Sequence, residues 1–283
     1  MIASPRSKCR DQRIGFHQMS EASPLEKALK RDRRIVLAGL IGVTALAWIY
    51  LVTLAADMGE MAIRGPMSSG MAMGQANRWS VFYFVLMFLM WAVMMVGMMV
   101  PSAAPMILLF STVTRKQKED GNPYVPVGVF VLGYVLVWTA FSLIATGVQW
   151  LLEQVALLSP AMVSASPYFG GALLVAAGTY QLTPLKTACL NHCRTPTAFV
   201  SRHWRTGTTG TFIMGMHHGA FCVGCCWALM CLLFVGGVMN LLWVALIAAF
   251  VLFEKILPAG HRLGRLAGIT LLAWGIWLLV AAN

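Results

Sequence analysis

The chain has 283 residues, of which 59% are hydrophobic and 11% charged, where an ordinary soluble domain is about a quarter charged. This composition excludes a water-soluble globular domain and points to a protein whose solvent is mostly lipid. The net charge of +11 does not indicate nucleic acid, because 19 of the 21 Lys and Arg residues fall in four segments, 1–34, 111–126, 184–210 and 255–265.

Residues 1–34 carry nine of those basic residues and no apolar run, so they read as a disordered cytosolic tail without a cleavable signal. A short interfacial helix at Pro24–Arg34 is an option within it, and Cys9 has no evident partner there. From residue 35 onward the chain reads as one integral membrane domain, 35–283. Apolar segments near 35–56, 80–110, 127–152, 167–183, 211–235, 239–257 and 265–282 predict an all-α polytopic bundle of six to seven transmembrane helices. The fourth is short and runs into Gln181-Leu-Thr-Pro184. Between the fifth and sixth, Gly236-Gly237 marks a turn. The intervening loops 57–79 and 153–166 hold only Arg64 and Arg78, so the charge asymmetry predicts the N-terminus in the cytosol.

Loop 57–79 contains Met58, Met61, Met67, Met71 and Met73 among Gly, Ser and Pro residues that disfavour regular structure. The second segment adds a stripe: Met87, Met90, Met94 and Met98 share one helical face, with Met95, Met99 and Met106 beside it. Thioethers bind Cu(I) without losing a proton. Methionine is also a flexible apolar filler, so the stripe alone does not separate a metal path from packing.

The cytosolic loop 184–210 holds Cys189-Leu-Asn-His192-Cys193. Lys186 and Arg194 nearby would favour thiolate at Cys189 and Cys193. The fifth segment carries the strongest signal. Met214, His218, Cys222 and Cys225 lie on one face of a helix, with His217 and Cys226 adjoining. Ionisable groups inside a membrane segment mark functional sites, and imidazole with thiolate and thioether suits a soft metal. Copper as Cu(I) is the first expectation, zinc the second, and an intramembrane histidine leaves haem open. Cys189, Cys193, Cys222 and Cys225 are one conceivable four-thiolate set. Cys231 reads as packing. Near the end of the sixth segment, Glu254 could orient ligands at the level of His217 and His218, and Lys255 is expected to snorkel to the interface.

No phosphate-binding loop, phosphorylation sequence, Ser/His/Asp pattern or pair of intramembrane carboxylates is present, so the chain does not read as an enzyme. Two rivals to copper handling remain. Cys222-Val-Gly-Cys225 has the spacing of a redox dithiol, which a membrane thiol oxidoreductase would use. A structural scaffold for a membrane complex would tolerate loss of the thiols.

Several of these stretches together resemble a known family. They are Met90-Trp91-Ala-Val-Met94-Met95 through Pro101-Ser-Ala-Ala-Pro105, Tyr180 to Arg194, His218-Gly-Ala-Phe-Cys222-Val-Gly-Cys225-Cys226-Trp227-Ala-Leu-Met230, Gly237-Val-Met239-Asn240 and Glu254-Lys255. The family is that of the bacterial predicted metal-binding integral membrane proteins, some of which are labelled copper chaperones. The resemblance runs from about Trp79 to Gly260. It implies a multi-helix protein of the bacterial inner membrane with a metal role; the copper-handling reading adds a cuproprotein of the membrane or periplasm as an expected partner.

Overall fold

The computed structural model describes residues 24–64, 79–119, 125–159 and 162–282. Cys9, Met67, Met71 and Met73 lie outside the described residues. The elements are α1 (Pro24–Arg64), α2 (Val81–Glu119), α3 (Val127–Gln154), α4 (Pro167–Gln181), α5 (Pro184–Arg194), α6 (Pro196–His203), α7 (Gly207–Cys231), α8 (Leu233–Gly236), α9 (Leu241–Ile256) and α10 (Gly260–Ala281). The fold is all-helical, with no strand among the described residues.

Local sequence explains where the helices begin. Ser166 accepts a hydrogen bond from the Phe169 N–H ahead of Pro167, and Thr183 caps Lys186 N–H ahead of Pro184. A capping hydroxyl followed by proline at the first helical position is a strong start signal. Asn240 does the same for α9 through Trp243 N–H. Gly237, at φ +95°, makes the turn before it. Pro196 likewise opens α6 directly after α5. The segment 184–210, expected as a loop, therefore folds into two short helices. α1 likewise extends through Arg64, so Met58 and Met61 are helical rather than in a loop.

Each of the seven predicted apolar segments coincides with a helix. Five are long and apolar enough to cross a membrane: Arg33–Asp57, Val81–Gln117, Val127–Gln154, Gly207–Gly236 and Gly260–Ala281. Of the six to seven expected spans, these five meet that length among the described residues. α4 and α9 have 15 and 16 residues. At 1.5 Å per residue they reach only about 24 Å, short of the roughly 30 Å apolar layer of a bilayer.

Cross-chain bonds define two ends of the bundle. At one, Trp79 Nε1 donates to Glu153 at 2.8 Å, Ser164 N–H to Phe234 O at 2.8 Å, and the Tyr168 hydroxyl to Ala282 O at 2.7 Å. At the other, Arg194 donates to the carbonyls of Leu257 (2.6 Å) and Pro258 (2.9 Å), and Phe110 packs on Trp204. Arg115, Lys116, Arg194, Arg202, Arg205, Arg262 and Arg265 all belong to this second, basic end.

α3 and α7 approach closely through two glycines, one on each helix. A side chain at Gly133 would collide with the Phe212 carbonyl, and one at Gly215 with the Phe130 carbonyl, so α3 and α7 touch backbone to backbone. Small residues give dispersion forces their best reach where no hydrophobic effect separates helix from lipid. This contact sets the sulfur-bearing face of α7 against Tyr134 of α3. α2 passes the same place with Pro101 and Pro105 inside it, residues that have no N–H to donate to the helix ladder.

Candidate metal centre

The face of α7 anticipated from the sequence points inward: Met214, His218, Cys222 and Cys225 are all buried, as is Cys226. From α5 comes Cys193, whose Sγ lies 4.0 Å from Cys225 Sγ. Two sulfurs each about 2.3 Å from one ion sit at most about 4.6 Å apart, so this pair has the span to share a metal. Cys225 and Cys226 both donate to the Cys222 carbonyl, at 3.1 and 2.8 Å. Cys226 Sγ also lies 3.9 Å from the Met99 thioether of α2. Thiols from α5 and α7 and a thioether from α2 therefore meet in one buried spot.

Cys189 sits at the margin. Its Sγ faces Gly224 of α7, where an added side chain would stand 2.9 Å from the sulfur. Burial, then the neighbouring Cys225 thiol, pushes the Cys189 thiol above its ordinary pKa. The expected activation by Lys186 and Arg194 does not occur at Cys189. Lys186 is buried and turned to Glu254 and Gln181, while Arg194 serves the Leu257 and Pro258 carbonyls.

The cation that does reach the thiols is Lys255. Its Nζ donates to Cys222 Sγ at 2.9 Å and to the Ser102 hydroxyl at 2.9 Å. Tyr134 Oη lies 3.1 Å from the same sulfur while donating to the Met99 carbonyl at 3.0 Å. Lys255 is thus buried, not snorkelling. A buried ammonium is costly without partners, and the Cys222 sulfur and the Ser102 hydroxyl accept from it. Glu254, one residue earlier, points elsewhere: its carboxylate pairs with Lys186, not with the level of His217 and His218.

The two histidines separate. His218 is enclosed by the rings of Phe130, Tyr134 and Phe199 at 6.0, 5.8 and 5.4 Å. Its Nδ1 is buried without a hydrogen-bond partner, a free donor atom one turn from Cys222. His217 instead faces His203 of α6, 5.9 Å between ring centres. The Met214 thioether accepts Arg205 N–H at 3.3 Å, at the basic end. Met90, Met94 and Met98 are buried along α2, and Gln149 donates to the Met87 sulfur at 3.8 Å. Cys231 is half-buried. Among the described residues, no group of three or more His, Cys, Asp or Glu side chains is arranged to enclose one metal ion.

Sequence reasoning missed Met99 as the thioether at the thiols, and it missed Tyr134 and Ser102. Lys255 carried a usable signal, a cation inside an apolar helix next to an acid. Tyr134 carried one only through Gly133 beside it.

A family model described as PpoB2, copper chaperone, matches residues 88–278 of the chain. Comparison with curated proteins and with solved structures gave no match.

Proposed function

The chain belongs to this copper chaperone family, and from that premise we propose that it is a bacterial inner-membrane protein that holds Cu(I) as cargo between Cys193 and Cys225 and passes it to a cuproprotein of the membrane or periplasm. One observation carries the reading: two thiols from different helices stand 4.0 Å apart, and Cys226, next along α7, meets the Met99 thioether of α2 at 3.9 Å. Cys222 with its Lys255 counter-ion supplies negative charge beside the pair, and His218 Nδ1 is the nearest free imidazole nitrogen. The low ligand number favours Cu(I) over zinc, whose structural sites close with four protein ligands. Rings on three sides of His218 speak against a haem.

Met87, Met90, Met94 and Met98 climb α2 in steps of about one turn toward Met99, a rise of roughly 18 Å over twelve residues. We read them as a thioether path from the end opposite the basic one to the thiols. The asymmetry of basic residues supports a cytosolic N-terminus, with Cys189 and His217 on the cytosolic side of the site. The role is carriage of the ion; no reaction is assigned.

The test is metal content. The full chain, purified in mild detergent and supplemented separately with Cu(I), Zn(II) and Fe(II), should retain roughly one copper per chain, since metal-bound thiols are held deprotonated and tightly. Copper far below that after supplementation sinks the reading.

The 4.0 Å separation of Cys193 and Cys225 also favours one second reading, a cross-helix redox dithiol. Differential alkylation of quenched cells separates the two: a reversible Cys193–Cys225 disulfide supports redox work, and reduced thiols shielded by copper support carriage.

A further inference from the structure

A second polar site lies on the far side of Glu254 from the thiols. A cavity of about 460 Å³ opens at the basic end between α4, α5, α9 and α10, lined among others by Gln181, Lys186, Asn191, Glu254, His261 and Arg265. Its floor is buried and charged. Lys186 and Glu254 are each almost fully enclosed and paired with one another, and Lys186 also donates to the Gln181 side-chain oxygen. The Gln181 amide nitrogen is left buried with no partner, an N–H₂ donor at a cavity wall. An unsatisfied buried donor costs free energy unless a ligand or water accepts from it. With the Glu254 carboxylate paired to Lys186, the remaining donors at the rim are the His261 ring N–H and the Arg265 guanidinium. The α5 N-terminus, at Pro184, Lys186 and Thr187, adds its positive end to the same wall.

We propose that this cavity is a binding site for a phosphate group, held by Arg265 and His261 at the rim and by the Gln181 amide at the floor. Guanidinium and amide donors converging from several sides match the several acceptor oxygens of phosphate. Leu182 in the lining is 44% exposed, and Leu185 and Leu266, next in sequence to the lining residues Lys186 and Arg265, are 62% and 63% exposed. An apolar skirt next to a basic pocket at the end of a helical bundle is the setting in which anionic lipid headgroups are recognised. The phosphate can therefore arrive on a lipid or free in solution. The site is separate from the copper reading, because it shares no side chain with the thiol cluster.

The experiment uses the full chain. One arm places it in nanodiscs of phosphatidylcholine with and without phosphatidylglycerol, extracts it gently, and counts co-purifying lipid by native mass spectrometry. The other titrates inorganic phosphate into delipidated protein, with acetate as control, and reads the thermal midpoint. Retained phosphatidylglycerol assigns the lipid source, and a phosphate-specific rise in midpoint assigns the free one. In either case Arg265→Gln should weaken binding by about tenfold, the loss of one charge-assisted hydrogen bond. His261→Asn should weaken it less. Both residues are at the rim, so the Lys186–Glu254 pair stays intact, and unchanged copper content reports that the fold does too. Gln181→Leu is the check from the floor, and it too should weaken binding. Retention of neither ligand by the wild type, equal response to acetate, or variants that bind as well as wild type would overturn the proposal.

Discussion

Two regions of this molecule are rich in buried sulfur, and they are built differently. Along α2, Met87, Met90, Met94 and Met98 lie inside the apolar core. At the meeting of α5 and α7, Cys222, Cys225 and Cys226 are buried and Cys193 half-buried, and Cys222 is met by a tyrosine hydroxyl and by an ammonium that a serine hydroxyl also holds. The difference teaches that sulfur content does not define a site. Burying Lys255 and Tyr134 is costly unless each finds a partner, and the thiols provide it. The methionine column needs no such partner, since thioethers are tolerated in any well-packed core.

The comparison breaks most easily at the thiol pair. Cys193→Ser or Cys225→Ser removes one of two proposed ligands, so copper affinity should fall by more than the roughly 10–100-fold that loss of a supporting contact costs. Competition with a Cu(I) chelator of known affinity measures this. Retention within a factor of a few in both variants would leave the pair as mere packing.

Next in size is the ammonium. Lys255→Met takes away the cation that favours thiolate at Cys222, and metal binds thiolate rather than thiol. At pH 7 copper affinity should drop about tenfold, the loss of one charge-assisted hydrogen bond. The sign depends on pH. As alkaline conditions deprotonate the thiols without help, the variant should converge on the wild type. A deficit that persists undiminished at high pH would assign Lys255 a purely structural role. A smaller effect is expected for Met99→Leu, which keeps volume but removes the thioether beside Cys226. Its copper affinity should fall severalfold, less than for either cysteine variant, by the same competition.

The helices were legible in the sequence because apolar runs, proline–hydroxyl starts and a glycine turn act locally. Their lengths were less so. α4 and α9 read as spans from hydropathy, yet Pro184 and the chain reversal at Pro258 cut them to 15 and 16 residues. The thiol face of α7 was legible through its period, since His218, Cys222 and Cys225 repeat at helical spacing. Its partners were not, because Met99, Tyr134 and Lys255 join it through helix packing across sequence separations of 127, 88 and 33 residues. Period-based reasoning placed Met90, Met94 and Met98 on one face, whereas the thioether beside Cys226 is that of Met99 on the neighbouring face. Charge reasoning failed at Lys186 for a related cause: adjacency in sequence to Cys189 says nothing of where a long side chain finds its carboxylate.

The smallest equilibrium effect is expected where the sulfur count is high. Changing Met90, Met94 and Met98 together to leucine conserves volume and apolarity in a packed core, so the fold should lose little. If these thioethers are a path and not the site, copper per chain at saturation should match the wild type. The rate of loading should fall instead, because each leucine removes a stepping place for the ion while leaving the end point untouched. Stopped-flow transfer from a Cu(I) donor, read beside equilibrium content, separates the two quantities. Reduced content at saturation would move the copper site onto α2 and reverse the roles of the two regions. Unchanged content with unchanged rate would reduce the column to core packing and require the ion to enter from the basic end, past Cys189 and His217.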